Sequence, residues 1–215
     1  MNTYLDRYCE RLEPGLWAEP LNVVSNLAFA VACVALYRVY RESPHAGREV
    51  PWLIALVAAI GIGSAFWHVF AQRWAEYADA MPILLFISLY LVVALYRRVT
   101  TRWAWVLALF ALFHIANYAT QVALPAGYLN GSGFYLPTWL TLVLMGLYLL
   151  WRRHPDAPRF GIAALWFLLA LGFRTLDPSL CAAVPIGTHF LWHLLIAVVV
   201  YQLVAVLIVT KQGER

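Results

Sequence analysis

Seven long apolar stretches leave this chain few folds to choose from. They lie near residues 22–40, 51–70, 81–97, 103–121, 134–151, 160–176 and 187–209, with Pro44, Pro51, Pro125, Pro155 and Pro185 in or beside the gaps. A helix needs about 20 mostly apolar residues to cross the hydrocarbon core of a bilayer, and each stretch is close to that length. The third is somewhat short, and its helix is expected to extend toward Asp79. Inside lipid each backbone amide must be paired within its own segment. The expected fold class is therefore an all-α integral membrane protein, a bundle of seven transmembrane helices. Composition agrees: 63% of the 215 residues are hydrophobic and 12% are charged, against about 45–50% and 25% in soluble domains. No linker, charge run or repeat divides the chain, so residues 1–215 are expected to form a single domain.

The first 21 residues carry Asp6, Arg7, Glu10, Arg11, Glu13 and Glu19, the wrong chemistry for a cleavable signal peptide. They are expected to form an extracytoplasmic loop before the first span. Orientation follows from the arginine and lysine count in the loops. One face holds four (Arg7, Arg11, Arg73, Arg174) and the other eleven, from Arg38 to Lys211 and Arg215. Basic loops stay in the cytoplasm, which puts the N-terminus outside and the C-terminus inside. The net charge of +4 is no argument for nucleic acid, because the basic residues are scattered between apolar spans. Fourteen of the fifteen are arginine, a bias that fits a GC-rich bacterial genome and hence an inner membrane, its outer face toward the periplasm.

Ionisable groups inside spans are costly, and each is a functional-site candidate. Once the spans are given directions, these groups fall at one depth. His68 lies near the outer end of the second span with Ser64 one turn deeper, and Asp79 stands at the outer start of the third. His189 and His193 occupy the first two turns of the seventh, on one helical face at i and i+4. Three imidazoles with a fourth position open are the ligand set of a catalytic zinc. Such a metal activates water and polarises a carbonyl oxygen. Asp79 is suited to move the water's proton, and Ser64 to donate to the developing oxyanion. A lone histidine in a span is often only a packing residue; the pair on one face and the shared depth argue for the metal. His114 and Asn117 lie deeper, in the fourth span, and are expected to bond a neighbouring helix. Arg174 and Asp177 are spaced for a local ion pair, and His154 is expected in solvent.

The run Gly63-Ser64-Ala65-Phe66-Trp67-His68, Asp79 eleven residues later, and His189-Phe190-Leu191-Trp192-His193 resemble the alkaline ceramidases. These belong to a wider superfamily of seven-span hydrolases that also includes the adiponectin and progestin receptors. Tyr8-Cys9-Glu10 and the segment from Glu19 to Asn26 are similar to the ceramidase start, so the resemblance runs from Tyr8 to His193. It implies a zinc held by His68, His189 and His193, and hydrolysis of the amide joining a sphingoid base to a fatty acid. Asp79 and Ser64 are implied as the catalytic pair. It further implies a calcium site in the N-terminal loop, with Glu10 and Glu19 as carboxylates and Asp6, Glu13 and Asn22 as further candidates. Here the match departs from the family: the segment from Cys9 to Glu19 is shorter, and Leu12 stands where the family has a polar ligand. Ligand counting leaves a solvated acidic loop as the alternative. The family also pairs cysteines at the places of Cys9 and Cys181.

A lipid receptor or sensor with a structural zinc is the competing reading; the short loops rank it lower. Bis-histidine haem would need ligands from facing helices, which the His189/His193 pair does not supply. A retinal Schiff base is excluded because the only lysine, Lys211, lies past the last span. Oligomeric state is not legible. The partner expected is a ceramide-like N-acyl lipid.

Overall fold

The computed structural model describes residues 5–125 and 127–209. Within them the chain is helical and contains seven helices long and apolar enough to cross a membrane. The first crossing combines a short helix α1 (Pro20–Ser25) with α2 (Leu27–Arg41). Then follow α3 (Val50–Phe70), α4 (Arg73–Arg98), α5 (Trp103–Ala123), α6 (Leu136–Trp151), α7 (Ala157–Leu180) and α8 (His189–Val209). A distorted 3₁₀ segment, Tyr128–Tyr135, leads into α6.

The last helix is the axis of the bundle. More than half of the apolar window of α8 is buried (56%), against 17% for α5, which puts α8 at the centre and α5 at the rim. It packs against α7 and α2 and touches α1 and α3. Outward-facing residues such as Val31, Leu107, Leu112, Leu144 and Leu165 are exposed. In water so large an apolar surface would drive association, whereas in lipid it is the ordinary coat of a spanning bundle.

Helix α4 starts at Arg73, well before its apolar run, because its first two turns are amphipathic and carry Arg73, Glu76 and Asp79. Ala71 reverses the chain between α3 and α4 in a left-handed conformation, and its carbonyl accepts the Leu5 N–H at 2.9 Å. Pro82 within α4 cannot pair with the Ala78 carbonyl four residues earlier. That carbonyl packs against Gly63 of α3, where any Cβ would collide with it. Proline on one helix and glycine on the other thus allow the backbone approach that brings Asp79 against the helix of Ser64 and His68.

At the opposite end of the bundle arginines and carboxylates pair with one another, with Arg98 Nη2 buried and left without a hydrogen bond among the described residues. The buried Asp156 carboxylate accepts from Arg98 (2.8 Å) and Arg159 (3.0 Å). His154 is not solvated as expected: its Nδ1 accepts the Asp156 N–H at 3.1 Å. Arg97 pairs with Glu49 and donates to the Leu207 carbonyl of α8 at 2.8 Å.

Candidate metal centre

Two helices deliver three imidazoles to one point. His68 comes from the last turn of α3, and His189 and His193 from the first two turns of α8. They are 1%, 3% and 2% exposed. One ligand nitrogen from each lies within 4.8 Å of the others.

Hydrogen bonding sets the tautomers. His68 Nδ1 faces the Glu19 carboxylate, which can only accept, so Nδ1 carries a proton. Ser25 Oγ donates its single proton to the Asn22 carbonyl at 2.9 Å and lies 2.7 Å from His193 Nδ1. It must accept there, so His193 Nδ1 is protonated as well. In neutral rings both Nε2 atoms then present lone pairs, 3.1 Å apart. Two lone pairs at that separation repel unless a proton or a cation sits against them. His189 adds a buried Nδ1 with no hydrogen-bond partner among the described residues. Ligating histidines characteristically donate their other N–H to a carboxylate or other acceptor, and Glu19 and Ser25 fill that role here. The donor set therefore fits a metal ion.

Around this cluster the N-terminal segment forms a cap. Tyr8 stacks on the His189 ring (3.7 Å between centroids, 15° between planes). Burial raises the pKa of the Tyr8 phenol, which keeps it neutral. Cys9 and Cys181 are joined by a disulfide that ties the segment to the end of α7. Asp177, 0% exposed, does not pair with Arg174 as its spacing suggested. Its carboxylate accepts the N–H groups of Cys9 (3.0 Å), Thr188 (2.5 Å) and His189 (2.9 Å), satisfying the first amides of α8. Gly187 (φ 68°) is required beside it, since a Cβ there would collide with the Asp177 carboxylate. Arg174 turns the other way, donating to Ser132 Oγ at 2.8 Å and lying over the rings of Tyr135 and Trp192.

Ser64 Oγ lies 3.4 Å from His193 Nε2. Ser64 and Asp79 line one cavity together with His189, His193, Tyr8 and Arg174; His68 is not among its lining residues, and its Nε2 lies 3.1 Å from that of His193. The cavity continues past Phe86, Leu91 and Ala94 to Leu203. From His189 to Leu203 is about 20 Å at 1.5 Å per helical residue, nearly all of it apolar wall. Its ionised and imidazole side chains are gathered at one end, where the histidines are, while Tyr90 stands beside Leu91 far from them. His114 lies outside it, 3.3 Å from Ser88 of α4. Asn117 accepts from Gln121 at 3.0 Å.

The residues considered for calcium are placed differently from one another. Glu10 accepts the first amides of α1, from Leu21 at 2.6 Å and Asn22 at 2.9 Å; burial raises its pKa while those bonds lower it. Glu19 is buried between Arg11, His68 and the Asn22 amide. Burial alone would raise the Glu19 pKa, but the His68 and Arg11 contacts outweigh it and hold the group below its ordinary value. Asp6 and Glu13 are exposed. Sequence reasoning missed Ser25, Arg11 and Asp177 as parts of the centre and gave Glu19 a different role. A signal was present: Glu19, Asn22 and Ser25 recur at intervals of three, a polar face on a short helix otherwise destined for lipid.

Compared with protein-family models, residues 8–215 match the one described as Ceramidase. Among curated proteins no match was found.

Proposed function

The chain belongs to the ceramidase family, and from that premise we propose that it is a zinc-dependent hydrolase of ceramide or a closely related N-acyl lipid. The family carries the class of reaction, hydrolysis of a lipid amide. The observation that supports metal-assisted chemistry is the pair of facing Nε2 lone pairs on His68 and His193, with His189 beside them.

In this reading His68, His189 and His193 hold zinc. Bound there, zinc lowers the pKa of a coordinated water to about 7 and polarises the substrate carbonyl. Asp79, at the start of α4, accepts the water's proton as the carbonyl carbon is attacked, then returns it to the departing amine. Ser64 Oγ–H, one turn below His68, donates to the oxygen on which negative charge develops. The apolar cavity takes an alkyl chain, and its walls keep bulk water from the amide. Arg174 and Tyr8, at the polar end, face the head of the lipid.

The arginine asymmetry supports an extracytoplasmic N-terminus, with the centre toward the outer leaflet. The Cys9–Cys181 bond lies at the same end and suits an oxidising compartment.

Metal analysis of purified protein beside His189→Ala tests the reading, together with fatty acid release from ceramide in mixed micelles. About one zinc per chain and turnover are expected for the wild type, and neither in the variant. Stoichiometric zinc without turnover on any N-acyl lipid would favour the sensor reading; wild type without bound metal would overturn both.

A further inference from the structure

The family implies a calcium ion in the N-terminal loop, and the residues of this chain do not fit one. Calcium takes about six to eight oxygen ligands, with carboxylates among them. Glu19 is the buried carboxylate of the loop, and both its oxygens are engaged. Oε1 accepts from Arg11 Nε, and Oε2 accepts from His68 Nδ1 and from Asn22 Nδ2. Glu10 is held by two backbone amides of α1. Asn22 Oδ1 is the one buried side-chain oxygen of the loop's candidate ligands left without a partner. Asp6 and Glu13 are exposed.

We propose that the guanidinium of Arg11 is the resident cation of this loop, and that the protein works and folds independently of calcium. Arg11 is 3% exposed, and its guanidinium donates to oxygen atoms at three places. Besides Glu19, it donates to the Gly15 carbonyl at 3.1 Å and to the His68 carbonyl at 2.6 Å. One carboxylate and two carbonyls from three points of the chain are the donors a divalent ion would gather, and a planar fork of N–H groups takes them instead. A second positive charge beside the guanidinium would be repelled, and the buried carboxylate of the loop, Glu19, already has both oxygens engaged. The shorter Cys9–Glu19 segment and Leu12 agree with this: fewer oxygens are supplied because fewer are needed. The charge also has a task in the centre. Arg11 neutralises Glu19 and grips the His68 carbonyl, so it is a positioning residue acting on the His68 ring through both.

The test uses the intact, zinc-loaded protein in detergent and reads binding and melting, not turnover, so its failure is separate from failure of the hydrolase reading. Equilibrium dialysis against radioactive calcium at millimolar concentration should find no stoichiometric site. The melting temperature should change by less than about 1 °C between calcium and a calcium chelator that spares zinc. Bound calcium near one per chain, or a clear calcium-dependent rise in melting temperature, overturns the proposal. Arg11→Gln should melt lower than wild type and become calcium-responsive, while Arg11→Lys, which keeps a charge, should recover part of the loss. An Arg11→Gln protein as stable as wild type and still indifferent to calcium would also overturn it. Should Arg11→Gln fail to fold, the wild-type dialysis decides alone.

Discussion

Both ends of the bundle bury a carboxylate against arginine, yet they are built to different purposes. At the end where α4, α7 and α8 finish or begin, Asp156 is enclosed by Arg98 and Arg159, and Arg97 closes on Glu49 and the Leu207 carbonyl. Strong acceptors and strong donors there meet each other, Arg98 Nη2 alone of these arginine nitrogens being buried without a hydrogen bond among the described residues, and none of them lines the cavity that holds the histidines. At the other end Glu19 meets Arg11, but its second oxygen turns one ring of a set of three so that lone pairs crowd together at the mouth of an apolar channel. Buried charge is weak evidence of purpose by itself. The informative difference is whether the network satisfies itself or leaves donors pointing at a common gap.

That contrast can be broken at several strengths. Asp79→Asn should lower kcat by a factor of about 10²–10⁴ while zinc content stays near one per chain, read by turnover beside metal analysis. Ser64→Ala should cost about 10²–10³ in kcat with little change in KM, if its hydroxyl acts on the developing oxyanion. Ser25→Ala removes the partner of His193 without touching the cavity. Zinc affinity, measured by competition with a chromophoric chelator, should fall by about 10–100-fold. Asp156→Asn sharpens the comparison from the other side. It should destabilise the fold by about 3–5 kcal/mol in a denaturation experiment, yet leave zinc affinity and turnover per folded molecule unchanged. A loss of zinc in that variant would show that the two ends are coupled and the distinction too simple.

Much of the fold could be read before any coordinates. Seven spans follow from hydropathy because a bilayer imposes one length and one pairing rule on each segment. The meeting of His68, His189 and His193 was legible for a related reason: alternating direction turns sequence position into depth. What depth does not specify is rotation about each helix axis and the packing between neighbours. Hence Arg174 and Asp177, an ion pair by spacing, part company, one to the 3₁₀ segment and the other to the start of α8. Ser25 looked like any serine near a helix start, and Arg11 like one more loop charge. Their roles exist only once α1 lies against α3 and α8.

The ligands of the centre are far apart along the chain, and this has a consequence for how the protein is made. His68 and His193 are separated by 125 residues, and Ser25 and His193 by 168. Synthesis and insertion proceed from the N-terminus, so a growing chain holds His68, Glu19 and Ser25 through four further crossings before the last helix arrives. No product that ends before the last helix can carry the centre, and the bond between Cys9 and Cys181 must wait until six of the seven crossings are made. Capacity for metal is therefore acquired in one late step, when the axial helix enters a bundle already waiting for it.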